Sequence, residues 1–551
     1  MTPKRGRVPG RRWIALILMS LLALFVFPAT AQATSYVPID GQGSTWDENA
    51  IDQWTADVAK YGMDVQFTGN GSSAGRTAFR GGLVDYAASD IPYGETDDGQ
   101  TDPPPPLGSY AYIPIVAGGT AFMYHLTVGG KLVTNLRLTG QTLTKIFTGN
   151  LTMWNAPEIQ AENPGIVLPP RQIIPVVRTD GSGSSAQLTA WMAYTYPSMW
   201  NAYCKAAGRP VNNPCGSTSF YPTVPGSDFI SQSLDSGVAG YVSEPTSDGA
   251  ITYTEYSYAR QANYPVVQML NSDGYYTLPT AYNDAVSLTE AKINQDSSDP
   301  ATYLTQNLTN VYTDKDPRTY VLSSYSYLII PLTTSGTFSA AKGTTLTSFA
   351  DFALCQGQVP MGQLGYSPLP INLVQAGFSQ LAKVPGAVSQ SINVSSCQNP
   401  TFPHDGVNPM VADAPDPPAC AKEGAVQCAP DGVTPVPGGG STSTGTTGST
   451  GTNGAPGTSA SGGASPGAGS TATSAAGSNG SAAVGSLGGG PQSGANGVGS
   501  SLNPNIVAGQ YFLSSAYSSP VSTPLMILAA FILLFAIFGP AVFWRIRRRR
   551  R

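Results

Sequence analysis

Gln172-Ile-Ile-Pro-Val-Val177 followed by Arg178-Thr-Asp-Gly-Ser-Gly-Ser184 reads as a buried strand that ends in a small-residue turn. A helix is expected to follow over Gln187–Tyr196. The same order recurs upstream. Gly41-Gln-Gly-Ser-Thr-Trp46 opens a helical stretch over Trp46–Tyr61, and the strand-like Asp64-Val-Gln-Phe67 leads into Gly71-Ser-Ser-Ala-Gly75. Further strand-like runs at Tyr112–Ala117 and Tyr320–Pro331 and a helical stretch at Ser367–Ala382 continue the alternation. Strands alternating with helices predict α/β layers with largely parallel sheets.

The three turns share a chemistry. Small residues let backbone N–H groups face a ligand, and a helix start adds partial positive charge. Serine and threonine hydroxyls add donors, and Arg178 can offer a planar fork to two oxygens of an anion. Taken singly, each turn reads more readily as plain helix capping or a loop. The bulk composition sets few limits. Only 11% of residues are charged and the formal net charge is −5, so no basic field marks the chain for nucleic acid.

The ends are more telling. Lys4, Arg5, Arg7, Arg11 and Arg12 precede an apolar run from Trp13 to Phe27, and Ala31-Gln-Ala33 follows. This is the pattern of a signal peptide over residues 1–33, cleaved after Ala33; Arg11-Arg12 leaves both general and twin-arginine export open. Leu525–Trp544 is almost wholly apolar and is followed by Arg545 and Arg547–Arg551. About 20 residues at about 1.5 Å each span a bilayer core, and the arginines stay cytoplasmic. The expectation is a transmembrane helix over 522–544 with a cytoplasmic tail over 545–551. Between Gly432 and Trp544 there is no Asp, Glu, Lys or Arg. The Gly/Ser/Thr/Ala-rich stretch 431–520 reads as a disordered, flexible linker, leaving a body over 34–430 held outside the membrane.

All six cysteines, Cys204, Cys215, Cys355, Cys397, Cys420 and Cys428, fall in that exported body. An even count in an oxidising compartment favours disulfides over metal. Of the possible pairings the nearest-neighbour set is the simplest; the connectivity stays open. No CxxC pair, P-loop or Rossmann fingerprint occurs, and no metal or cofactor is expected.

With these motifs in view, the sequence resembles the phosphate-binding proteins of ABC-type phosphate uptake systems. The resemblance is carried by GQGSTW, by GNGSSAG followed by VDYAASDIP, and by RTDGSGSS. The stretches LTGQTLTKIFTGNLTMWNAPEIQAENPGIVLP and SGVAGYVSEPTSDGAITYTEYSYARQANYPVVQM add to it. The match runs in order from about Val37 to Ala382. It implies a two-lobed periplasmic-binding-protein fold of class II-like type that closes at a hinge. Lobe 1 would comprise about 34–117 and 285–400, lobe 2 about 118–284. It also implies inorganic phosphate as ligand, permease subunits of an ABC transporter as membrane partners, and no catalysis. The implied phosphate-binding set is Thr45, Trp46, Ser73, Asp90, Arg178, Asp180, Ser182, Gly183 and Ser184, with Asp180 bracing the arginine. Asp90 would accept the proton that phosphate keeps at neutral pH and sulfate lacks.

Three features depart from the family. Asp47 and Glu48 stand where uncharged residues are usual and are expected to point outward. The Asp-Pro loop around Pro103–Pro106 and the cysteine-bearing tail after Ala387 are additions without an evident role. Rival readings are a surface sensor or adhesin built on the same lobes, and a serine hydrolase. In the latter, Ser73 sits in G-x-S-x-G and needs a base from the two histidines, His125 and His404.

Overall fold

The computed structural model describes residues 36–94, 96–97, 100–209, 215–387, 397–402 and 406–429. The expected signal peptide, linker, membrane helix and arginine tail lie outside those residues, as does His404. Among the described residues no helix is long and apolar enough to cross a membrane.

Eight strands form one mixed sheet: β1 (Ile39–Gly43), β2 (Val65–Gly69), β3 (Tyr86–Ser89), β4 (Tyr110–Tyr124), β5 (Ile174–Arg178), β6 (Ile230–Gln232), β7 (Ala250–Glu255) and β8 (Ser323–Pro331). Their spatial order is β6-β5-β7-β4-β8-β3-β1-β2. β1 is parallel to β2 and β3, and β5 is parallel to β6 and β7. The long antiparallel strands β4 and β8 join the two parallel blocks.

β4 is buried along all its 15 residues and changes partner midway. Tyr110–Gly119 pair with β8, and Thr120–Tyr124 pair with β7. The strand-like run expected over Tyr112–Ala117 stops short of the two glycines that follow. The structure carries it through them, since each glycine makes room for a neighbour. A side chain on Gly118 would meet the Trp46 ring at 3.0 Å, and one on Gly119 would meet Pro279 at 2.5 Å.

Helices start at the carboxyl ends of the parallel strands. β1 leads into α1 (Glu48–Ala59), β2 into α2 (Ser72–Arg80), β5 into α3 (Gly183–Thr195) and β6 into α4 (Leu234–Ser243). α1 buries Ala50, Ile51, Trp54 and Val58 on one stripe. The helix expected from Ser367 begins only at Ile371. Pro368 and Pro370 delay it, and Ser367 instead bridges to Ala117.

The disulfides are the nearest-neighbour set, Cys204–Cys215, Cys355–Cys397 and Cys420–Cys428. They give the tail a place. Asn399 and Thr401 donate to the Leu369 carbonyl at 2.9 and 2.5 Å. Further on, the buried Arg137 guanidinium donates to the Cys420 and Ala425 carbonyls, and Asn135 donates to the Cys428 carbonyl at 2.7 Å. The added residues therefore grip the body at two separate places. The Asp-Pro loop is also tied in: Asp102 accepts from the buried Arg76 at 2.6 Å.

Candidate functional site

The expected turns meet where the two parallel blocks present the carboxyl ends of their strands, the usual place for ligands in open α/β sheets. Ser73 N–H donates to the Gly181 carbonyl at 3.0 Å. Gln187 donates to the Asp90 carbonyl at 2.9 Å. Arg178 Nη2 donates to the Thr45 hydroxyl at 3.0 Å. The first and third turns, over 130 residues apart in sequence, are thus in direct contact.

From the β1–α1 turn, Thr45 donates to Asp235 at 2.5 Å. Trp46 is buried edge-on against Tyr366, with ring centroids 5.7 Å apart. Its N–H is already taken by Ser44 Oγ at 3.0 Å, so here Trp46 is a wall of the site rather than a free backbone donor. Asp47 does not point outward as expected. It is fully buried and bonds Ser326 Oγ at 2.6 Å. Glu48 is also turned inward, accepting from Gly69 N–H at 3.2 Å and Tyr258 Oη at 2.9 Å. The reason is local: α1 starts at Glu48 rather than Trp46, so Asp47 sits in the turn that faces β8.

The second turn delivers a neighbour of the expected residue. Ser73 Oγ accepts from Arg76 at 3.2 Å, away from the cluster, whereas Ser72 Oγ reaches Asp90 Oδ2 at 3.3 Å. Asp90 follows β3 and is buried. Ser44 Oγ lies 2.8 and 3.0 Å from its two oxygens, and Ser326 Oγ is 2.9 Å away. Burial pushes the Asp90 carboxyl up, the Ser44 and Ser326 hydrogen bonds pull it back, and it settles at about 6.

Arg178 ends β5 and is buried. Asp180 takes its Nε at 2.8 Å and Nη2 at 2.5 Å in a two-pronged pair, and Asp235 takes Nη1. Burial opposes the guanidinium charge, but Asp235 and Asp180 outweigh it and hold the group above its ordinary value. Burial likewise pushes Asp180 up, and Arg178 more than reverses this. Asp180 also accepts from Leu234 N–H at 2.8 Å. Leu234 has φ 68°, a left-handed conformation that costs a non-glycine residue on the order of 1 kcal/mol or more. The same carboxylate therefore braces the arginine and the strained turn that aims Asp235.

Ser182 caps α3, accepting from Ser185 N–H. Gly183 lies against Asp90: a Cβ there would stand 2.1 Å from Asp90 Oδ2. The Ser184 hydroxyl is buried with no hydrogen-bond partner. The first N–H groups of α3 also lack an intrahelical acceptor. A buried cation, unused donors at a helix start and a buried carboxylate acceptor together suit a small oxyanion that carries a proton.

Asp235, Ser44, Ser72 and Ser326 escaped the sequence reading. Asp235 is the second residue of α4, three positions past the end of β6, and its place near a strand's carboxyl end was the available signal. Of the hydrolase reading, the described residues show Ser73 bonded to Arg76 and His125 Nδ1 engaged with the Val242 carbonyl at 3.1 Å; His404 lies outside them.

A family profile for the PBP superfamily domain matches residues 28–356. The chain belongs to the PBP superfamily. Among PBP-superfamily relatives, "Phosphate-binding protein PstS 2" of Mycobacterium tuberculosis is 30% identical over 336 residues, covering 60% of this chain and 83% of that protein. "Phosphate-binding protein PstS" of Xylella fastidiosa is 27% identical over 351 residues, covering 63% of this chain and 86% of that one. Of solved structures, the high-affinity periplasmic phosphate-binding protein PfluDING bound with phosphate aligns at 17% identity. Its TM-score is 0.46, with 62% of this chain and 93% of that one covered.

Proposed function

We propose that the chain binds inorganic phosphate outside the cytoplasm and delivers it to an ABC-type importer. The observation that carries this reading is the buried Asp90 carboxylate, set against the start of α3 and within the field of Arg178. A carboxylate beside an anion is repulsive unless it accepts a proton from that anion. Sulfate, fully ionised, brings no such proton and would set its oxygens against a buried carboxylate of like charge, which costs several kcal/mol. The names of the PstS relatives support the same ligand.

In this reading the phosphate takes Arg178, Ser184 and the N–H groups of Gly183 and Ser184 as donors, Thr45 once its hydroxyl turns from Asp235, and Asp90 as acceptor. Ser72 lines the site, while Asp180 and Ser182 hold the binding groups in place. The two strand blocks act as lobes that close about β4 near Gly118-Gly119. The signal peptide, read from sequence, exports the body, and the linker and membrane helix, likewise read from sequence, keep it tethered near the permease.

Calorimetry on the full chain tests the reading. Phosphate is expected to bind at micromolar or better, about −8 kcal/mol, and sulfate on the order of 10⁴ weaker. Equal affinity for the two would refute it.

A further inference from the structure

One hydroxyl stands between two buried carboxyl groups. Ser326 Oγ is 2.6 Å from Asp47 Oδ2 and 2.9 Å from Asp90 Oδ1, and all three residues are fully or almost fully buried. A serine hydroxyl has a single proton to donate. Two oxygen–oxygen contacts of this length therefore need a second proton, which must sit on one of the acids. The surroundings decide which. Asp90 has further donors in Ser44 and Ser72 and lies within the field of Arg178. Asp47 has only Ser326 on one side-chain oxygen, and its other oxygen has no partner. An unpaired oxygen costs far less as the carbonyl of a neutral acid than as part of a carboxylate. The proton belongs on Asp47, whose O–H then donates to Ser326, whose own proton goes to Asp90.

We propose that phosphate binding by this chain is coupled to the proton on Asp47. The ligand is held while Asp47 is protonated and weakened when Asp47 ionises and draws the Ser326 hydroxyl away from Asp90. The proposal rests on the phosphate reading above and adds Asp47 and Ser326 to it as residues that act through Asp90.

Burial, with Asp90 nearby, does raise the Asp47 carboxyl well above the usual range. The titratable groups that face it are Asp90, Glu48, Tyr86 and Tyr366, with no cation among them. Ionisation places a second uncompensated charge beside the one on Asp90. It also removes one of the donors that lets Asp90 remain an ionised acceptor. Linkage is reciprocal: if ionisation weakens phosphate binding by some factor, bound phosphate raises the Asp47 pKa by the logarithm of that factor.

The test is calorimetry of phosphate on the full chain across a pH series from neutral to alkaline, for wild type and Asp47→Asn. Asparagine offers a permanent donor to Ser326 and cannot ionise. Wild-type affinity is expected to fall by about tenfold or more toward alkaline pH with proton uptake on binding, and Asp47→Asn to fall by less than about threefold. Superimposed profiles would overturn the proposal. Should Asp47→Asn not fold, Ser326→Ala takes its place. Without the hydroxyl that ionised Asp47 draws away from Asp90, the alkaline fall should shrink to less than about threefold, and a fall as large as in wild type would overturn the coupling. Absence of phosphate binding by wild type at any pH would instead refute the phosphate reading. The infrared carbonyl band of a protonated carboxyl, read as the difference between wild type and Asp47→Asn because the buried Asp284 also keeps its proton near neutral pH, then still decides where the proton sits; without such a difference band the proposal fails.

Discussion

Thr45 and Arg178 meet between the two parallel strand blocks. Arg178 Nη2 donates to the Thr45 hydroxyl at 3.0 Å, and that hydroxyl donates onward to Asp235 at 2.5 Å. The one guanidinium at the site is therefore fixed from three sides, by Asp180 and Asp235 from its own block and by Thr45 from the other. A ligand taking Arg178 and Thr45 as donors must therefore win their protons from acceptors that already hold them.

Removing Arg178 should harm both binding and folding. Arg178→Ala leaves Asp180 and Asp235 without their cation, and a buried charge stripped of its partner typically costs about 3–5 kcal/mol. Phosphate affinity should drop at least about 100-fold. Arg178→Lys keeps the charge but not the fork and should recover stability better than affinity. Urea unfolding together with calorimetry separates the two effects.

Gly183→Ala should abolish binding with the fold preserved. Alanine is a better helix former than glycine by about 1 kcal/mol, yet its methyl group would stand 2.1 Å from Asp90 Oδ2. The turn and Asp90 must move apart, and the site opens. Helical content by circular dichroism should be unchanged while phosphate affinity falls by about 100-fold or more. Wild-type-like affinity would mean that Asp90 and α3 do not close on one ligand.

Asp284 gives a pH signature independent of the ligand. It is buried beside Gly119 of β4; burial pushes its carboxyl up to about 8, against the Ser323 hydrogen bond that lowers it. The folded state binds this proton more tightly than the unfolded chain, whose carboxyl titrates near 3.8. Its contribution is full below that value and is lost as pH rises toward about 8. Asp284→Asn should flatten this alkaline decline in denaturant titrations. The raised Asp90 acts with the same sign between 3.8 and about 6.

The Cys420–Cys428 ring should matter more than its size suggests. Closing a loop this short accounts for about 2–3 kcal/mol in the chain-entropy picture. Cys420→Ser/Cys428→Ser should also free Arg137, whose guanidinium burial lowers to about 10, from the Cys420 and Ala425 carbonyls. The double variant should melt at lower temperature and show faster amide exchange around Arg137 and Asn135. Unchanged exchange there would show that the tail holds without its disulfide.

Much of the α/β frame was readable, because strand, small-residue turn and helix follow one another in local sequence. The turns at Thr45 and Arg178 were found for the same reason. Residues that depend on long-range placement were not. Asp235 joins the site from 57 residues beyond Arg178, and Ser326 comes from the middle of β8. Asp235 had only its place just beyond a strand's carboxyl end to mark it, and nothing within β8 marks Ser326 as the partner of a distant acid. Ser72 and Ser73 differ by one position, and only the phase of α2, set by where that helix begins, decides which hydroxyl faces Asp90. Asp47 was expected outside because charge favours solvent, a local rule that the buried Ser326 overrides here.

Competition between labelled phosphate and excess sulfate, followed by equilibrium dialysis on the full chain and on Asp90→Asn, bears most directly on the role of Asp90. Wild type should keep its phosphate against a sulfate excess of about 1,000-fold, and Asp90→Asn should lose most of that preference. Displacement of phosphate from wild type by sulfate, or an undiminished preference in Asp90→Asn, would contradict a site built around a proton-accepting acid.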